Sequence, residues 1–498
     1  MAVLDGTIVN VAVPKLMAVF GVGSERIQWV LTAYLLTSGA VVPVTGELTD
    51  RLGGKRAYLA ALAVFTVGSA LCAVAWNANV LIAARVLQAI GGGAIMPVSM
   101  AMVYQIVPRE RIGTALGIWG ITISLAPAIG PTLGGYLIDR FSWHTIFLIN
   151  LPIGVVGVLL ALLLLPESPQ KAPAGFDKPG FLLSVAGCFA LLLALSKGED
   201  WGWGSCPVVM LLVGALFGLA IFGLWEAGHP EPVLDVRLLR NPVFLASLVT
   251  SCTTSIAMYA GVFYLVIFTQ ALQGYTPTRA GLLLLPQALV AGALMPVGGR
   301  LFDRIGALPL ALPGTLLLAY TSYLLHGITL DTSFGSLALL LSLRAAGLGL
   351  CMMPLSAAGL NTVPPPLVSR ATALNTLARN ISASLGIAYL THVMQKAEAF
   401  HAAWLASRLA LDAPLVPWVA AQMRVLLSHL GVGDAAAGSA VLAYLVQREA
   451  MARAIADTFL AAAAIALFGL PFVFLLGKGY VERTRLEELR RWGGKEPA

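Results

Sequence analysis

A chain of 498 residues, 58% of them hydrophobic and 11% charged, with a mean hydropathy of +0.85, has too little polar side chain to cover a water-soluble globule. Its apolar residues come in blocks of about twenty, the length that crosses a hydrocarbon core of about 30 Å as a helix with every backbone group satisfied, and about twice what a barrel strand needs. The formal charge of +7 gathers at the ends of these blocks, which argues for membrane topology and against a nucleic-acid partner.

The expected fold class is therefore an all-α polytopic membrane protein. In chain order the blocks predict six spans near 1–20, 27–46, 57–75, 80–103, 112–138 and 145–165. Two follow near 180–197 and 206–225, and six more near 243–270, 278–300, 308–325, 335–357, 371–394 and 457–476, fourteen in all. Lys and Arg accumulate in short cytoplasmic loops. With both termini placed inside, eighteen basic residues fall on the cytoplasmic side, Lys171 and the six from Lys478 to Lys495 among them, against five in short outer loops. The expected location is the cell membrane, with the lipid bilayer as surrounding partner. Residues 395–456 are expected to form a long outer loop, with Trp404, Leu405 and Leu409 at helical spacing.

Other chemistry is thinly supplied. The five cysteines lack CxxC or CxxH spacing, Gly91-Gly92-Gly93 lacks the lysine of a phosphate loop, and the six histidines scatter near span ends. No metal, nucleotide, cofactor or enzyme active site is expected. The first segment has no basic leader and runs into Pro14-Lys15 rather than a small-residue cleavage site, so no cleavable signal peptide is expected.

Internal repetition organises the chain. GELTDRLG at 46–53 returns as GRLFDRIG at 299–306, displaced by 253 residues. Arg85 and Met96-Pro97 are echoed by Arg344 and Met353-Pro354, and Thr114-Ala115-Leu116 by Thr372-Ala373-Leu374, at offsets of 257 to 259. The expected organisation is a six-span unit over 1–165, two inserted spans over 166–240, a second six-span unit over 241–476 that includes the long loop, and a cytoplasmic tail over 477–498.

Four stretches resemble a known family. GELTDRLGGKR resembles the loop signature of the major facilitator superfamily, LIAARVLQAIGGGAIMP its fourth-span motif, and APAIGPTLGG its fifth-span antiporter motif. LDGTIVNVAVP resembles the first-span motif of the fourteen-span drug:proton antiporters, the EmrB/QacA type. The resemblance implies two bundles rocking about a midplane cavity and proton-driven export of amphiphilic drugs or other toxic small molecules. Substrates and protons would be the partners, the proton gradient would replace any cofactor, and an envelope-spanning adaptor, used by some relatives, stays open. A facilitator-fold transporter of one metabolite or lipid is the alternative.

Residue by residue, Gly46, Asp50, Arg51, Gly53 and Arg56, with Asp303 and Arg304 in the second copy, are expected to clasp a cytoplasmic gate. The glycines permit tight turns and Asp50 can meet a neighbouring helix N-terminus. The second copy lacks the basic pair after Gly306 and is expected to be the weaker clasp. Gly130, Pro131, Gly134 and Gly135 predict a bend at a helix interface, which by resemblance serves antiport and by itself would be a packing kink.

Embedded charges are the sharpest signals, since an ionised side chain at mid-bilayer costs about 3 kcal/mol even on the insertion scale. Arg85, Arg344 and Arg379 lie inside spans, and Asp5 is the only carboxylate that does. Asp5 is the expected proton site, with Arg85 as its partner by resemblance. Tyr34, Gln88, Arg344, Asn375 and Arg379 are expected to line the cavity, or else to satisfy helix contacts. Three arginines against one aspartate favour neutral or anionic amphiphiles over dications. The depth of Asp5 has two readings: Met1 stands downstream of the native start, or the first span is short and Asp5 lies near the cytoplasmic interface.

Overall fold

The computed structural model describes residues 1–167, 177–229, 232–411, 421–422 and 437–491. Lys171, Lys495 and the parts of the expected outer loop at 412–420 and 423–436 lie outside them. The first half contains α1 (Ala2–Phe20), α2 (Ser24–Leu52), α3 (Gly54–Ala73), α4 (Ala78–Ile106) and α5 (Ile112–Arg140). A short α6 (Thr145–Leu148) then runs into α7 (Asn150–Leu164). The hairpin α8 (Lys178–Trp201) and α9 (Cys206–Gly228) follows. The second half contains α10 (Pro242–Ile267), α11 (Pro277–Ile305), α12 (Leu308–Leu325), α13 (Phe334–Leu360), α14 (Val368–Leu411) and α15 (Ala437–Phe468). The short α16 (Leu470–Val473) and the charged α17 (Lys478–Arg491) end the described chain.

Among the described residues twelve helices are long and apolar enough to cross a membrane, thirteen if the segments Arg109–Pro127 and Thr132–Arg140, bent by 48° to one another, form one span. The expected fourteen exceed that count because α14 does not qualify. Its centre carries Asn375, Thr376, Arg379, Asn380, Ser382 and Ser384 within ten residues, a composition suited to a protein-facing helix and not to lipid.

α14 also corrects the loop. It runs as 44 residues of continuous helix to Leu411, roughly 66 Å at 1.5 Å per residue and about twice a hydrocarbon core. α15 begins at Ala437 and packs against it. Both ends of the expected loop are therefore helical, and they are tied together: the His401 ring nitrogen lies 2.8 Å from Asp457, and Trp404 has the Arg408 and Arg453 guanidinium groups 4.4 and 5.5 Å from its ring centroid.

The sequence repeat sets the packing. α2 and α11 are two copies of one 29-residue helix displaced by 253, and α5 and α14 share the Thr-Ala-Leu echo. Within the halves α2 and α3 pack on α4, α1 on α5, and α10 on α13 and α14. Between the halves, α5 packs on α11 and α14 on α2, so one contact is made twice. The hairpin α8–α9 leans on α2 through α8.

Small residues make these crossings close, as expected where lipid offers no hydrophobic drive and packing must serve instead. A Cβ on Gly46 would stand 2.9 Å from the Arg370 Cα, one on Gly117 would stand 2.7 Å from the Pro296 Cα, and one on Gly299 would run into the Gly113 carbonyl. Gly299→Ala is therefore expected to lower the thermal midpoint of the purified protein by a few degrees, overpacking of this kind costing about 1–3 kcal/mol. Gly223→Ala, with nothing within 4 Å, should leave the midpoint in place. Equal midpoints would mean that the helices are not this close.

Candidate proton and gating sites

α1 buries Asp5, Ile8, Val9, Ala12 and Leu16, a stripe at helical spacing that turns the carboxylate inward with the apolar side chains. There Asp5 is fully buried and ion-paired to the equally buried Arg85 of α4. Its Oδ1 accepts from Gln88 Nε2 at 2.9 Å and from Asn150 Nδ2 at 2.9 Å. Arg85 donates from NH1 to Gln88 Oε1 at 2.7 Å and from Nε to the Val30 carbonyl at 3.2 Å, and its guanidinium lies 4.0 Å from the Tyr34 ring centroid. Asn150 also donates to Ser69 Oγ at 3.1 Å, and that hydroxyl donates to the Phe147 carbonyl at 2.9 Å. Five helices, α1 to α4 and α7, thus converge on one carboxylate.

Burying two charges costs several kcal/mol per ion unless geometry and further hydrogen bonds compensate. Here two amides, a carbonyl and an aromatic face supply that compensation. Tyr34 and Gln88, expected to line the cavity or else to satisfy helix contacts, are buried around Arg85, with 5% and 0% exposure. Asn150 and Ser69 were not anticipated. The signal for Asn150 was available, a lone amide inside the apolar run TIFLINLPIG.

The pair also fixes the depth of Asp5. Arg85 is the eighth residue of the 29-residue α4, which leaves about 30 Å of helix beyond it. The near end is the one where Phe20, closing α1, meets Trp143 with ring centroids 5.4 Å apart. Asp5 is therefore level with the interior of α4.

The repeated motif does the same work in both copies. Gly46 and Gly299 are the points of closest approach, α2 against the start of α14 and α11 against the start of α5. Four residues on, the motif's aspartate meets that same helix start. Asp50 pairs with Arg370 at 3.3 Å. Asp303 accepts from the Gly113 amide at 2.8 Å and from the Thr114 amide and hydroxyl at 2.9 and 2.7 Å, capping α5 where its dipole favours an anion. Gly53 and Gly306 end the two helices at φ of +79° and +88°, a region that favours glycine. In both copies the motif's aspartate thus reaches the start of a helix in the other half. Arg51 pairs within its own helix with Glu47 at 2.8 Å, Arg56 lies 3.9 Å from Glu167, and the Arg304 carbonyl accepts from Lys478 at 3.2 Å.

The third motif seats α1. A Cβ on Gly134 would stand 2.7 Å from Ile8 Cγ1, and one on Gly130 would meet Thr7, whereas one on Gly135 would find Val11 Cγ1 at a comfortable 3.9 Å. Pro131 falls between the two segments of α5 that meet at 48°. The glycines face α1 one turn beyond Asp5.

The second half repeats the arginine but not the acid. Arg344, at the position echoing Arg85, is buried, hydrogen-bonded to the Ala257 carbonyl and pressed against Gly261. Among the described residues Arg344 has no ion-pair partner. Arg379 donates from Nε to Ser255 Oγ at 3.2 Å, and Asn375 is buried with neither amide atom paired.

The chain matches the family described as Major Facilitator Superfamily over residues 1–387. It is 35% identical to the uncharacterized MFS-type transporter YhcA of Bacillus subtilis, covering 83% of this chain and 78% of that one. It is 33% identical to the multidrug transporter protein MdtP of the same organism, over 78% and 72%. The fold is similar to that of the proton:xylose symporter XylE, at 12% identity, with a TM-score of 0.58 over 94% of each chain.

Removing one member of a buried pair strands the other, which typically costs about 3–5 kcal/mol, whereas replacing both by apolar groups is often neutral. Asp5→Ala is therefore expected to melt well below wild type, and Asp5→Ala with Arg85→Met to recover most of the loss. A double variant as unstable as the single one would show that the pair does not govern stability here.

Proposed function

We propose, since this chain belongs to the major facilitator superfamily, that it exports amphiphilic toxic compounds in exchange for protons. In this reading it is a fourteen-span drug:proton antiporter of the cell membrane with both termini cytoplasmic. Relatives named multidrug transporters support the substrate class. The charge asymmetry of the loops supports the orientation, and the span count takes in the bent α5 and the polar α14.

The observation that carries the coupling is the buried Asp5–Arg85 pair. A proton on Asp5 cancels the charge that compensates Arg85. An uncompensated buried guanidinium costs several kcal/mol, and about 1.4 kcal/mol shifts a two-state equilibrium tenfold. One proton is thus enough to drive the first half between two arrangements. The face that carries GELTDRLG is clasped by Asp50–Arg370 and Asp303, which corresponds to an outward-facing state if that face is cytoplasmic. Moving one charge inward down the membrane potential supplies about 2.3 kcal/mol per 100 mV, and no cofactor is required.

Proteoliposomes measure this directly. Substrate-induced proton release is expected from wild type and is expected to be lost in Asp5→Asn. Asn150→Ala, which removes a donor from the same carboxylate, should shift the pH profile of transport without abolishing it. Coupling that is unchanged in Asp5→Asn removes Asp5 from the mechanism.

A further inference from the structure

α10 carries an unusual run of hydroxyls, VTSCTTS at 249–255, inside an otherwise apolar helix. Most of them are accounted for. Ser247 donates to the Leu355 carbonyl, Thr250 to Ala246, Thr253 to Thr250 and Ser255 to Ser251, all within the 2.6–3.1 Å range. Ser251 and Thr254 are not. Both are buried with no hydrogen-bond partner for the hydroxyl, and the same is true of Ser356 facing them from α13. Between them runs a crevice lined by Ser251, Thr254, Met352, Leu355, Ser356 and Arg379, pinched in this conformation too narrow for a water molecule. One turn before Arg379 on α14 lies Asn375, buried, with both amide atoms unpaired.

Buried polar groups are normally hydrogen-bonded, so a cluster that is not calls for a ligand or a second conformation. We propose that this crevice, opened in the transport cycle, seats a carboxylate of the exported amphiphile, held by the Arg379 fork with Ser251, Ser356 and Asn375 around it. The chemistry follows from what is present and what is lacking. The guanidinium spends Nε on Ser255 and keeps its other nitrogens, the hydroxyls and the amide add donors, and no carboxylate lines the space. Donors in excess select an acceptor with several lone pairs, which a carboxylate supplies and an amine does not. Met352 and Leu355 give the adjoining apolar wall a flexible shape, as a range of hydrocarbon bodies requires.

This assignment rests on the export reading and names the charge of its substrate. Its position also separates the two cargoes: the proton site belongs to the first half and the substrate anion to the second. The test compares 11-(dansylamino)undecanoic acid with its N-methylamide, by fluorescence binding to the full chain in nanodiscs and by export from proteoliposomes. Wild type is expected to bind the acid about tenfold more tightly than the amide, the usual margin for a hydrogen bond to a charged group.

Arg379→Gln should bring that ratio close to one, Arg379→Lys should keep part of it, and Ser251→Ala with Ser356→Ala should reduce it about threefold. If Arg379→Gln does not fold, the lysine and serine variants carry the comparison. A wild-type ratio of one, or a ratio that none of these variants changes, overturns the assignment while export of both compounds leaves the wider reading intact. Neither binding nor export of either compound by wild type sinks the export reading and the assignment with it.

Discussion

A carboxylate and a guanidinium sealed together away from water constrain everything around them, because neither can be left alone there. Asp5 and Arg85 are each fully buried, and the donors and acceptors that surround them come from helices far apart in sequence. Val30, Gln88 and Asn150 are bound to that pair by hydrogen bonds, and Tyr34 by its ring face. Such an arrangement is stable only while every charge is compensated. The site is therefore poised: a single proton changes the sum of charges and makes the same packing unfavourable. A hydrophobic core of equal volume would hold the bundle as well and respond to nothing.

The duplicated architecture makes the location of this pair more informative. Gene-level repetition has preserved the mechanical parts in both halves, since each G-x-L-x-D-R-x-G copy supplies a glycine for close approach, an aspartate for the opposing helix start and a glycine for the final turn. It has not preserved the ionisable part. Arg344 repeats Arg85, but among the described residues it has no carboxylate partner, and its guanidinium lies where a side chain on Gly261 would stand. The two clasps hold one and the same face of the bundle, whereas the buried ion pair belongs to the first half.

Much of this was legible in the sequence, and the limits were physical. Span-length apolar blocks and the repeat led to an all-helical duplicated fold, and the rarity of buried charge led to Asp5 and Arg85. Reading failed where a residue's role depends on distant partners. Tyr34 and Gln88 read equally as cavity lining or as helix contacts because a polar residue in a span looks the same whether it faces a cavity or a buried ion. The way Asp303 caps a helix of the other half was not visible, because sequence displays charge counts and not the partner a carboxylate meets. The expected loop at 395–456 was marked by its fall in hydropathy, and its first 17 residues continue α14 as helix, since helix formation needs no lipid.

The proton site and the gate are joined by a single element. α5 begins under the Asp303 cap, crosses the whole interface against α11, bends by 48°, and presents Gly130 and Gly134 to Thr7 and Ile8 beside the proton site. A close-packed contact has no slack, so any shift of α1 would be passed to the part of α5 that carries Gly130 and Gly134 rather than absorbed. Glycine is needed at the seat because larger side chains would separate α1 from α5. One helix thus links the neighbourhood of the buried pair to the cap at Asp303.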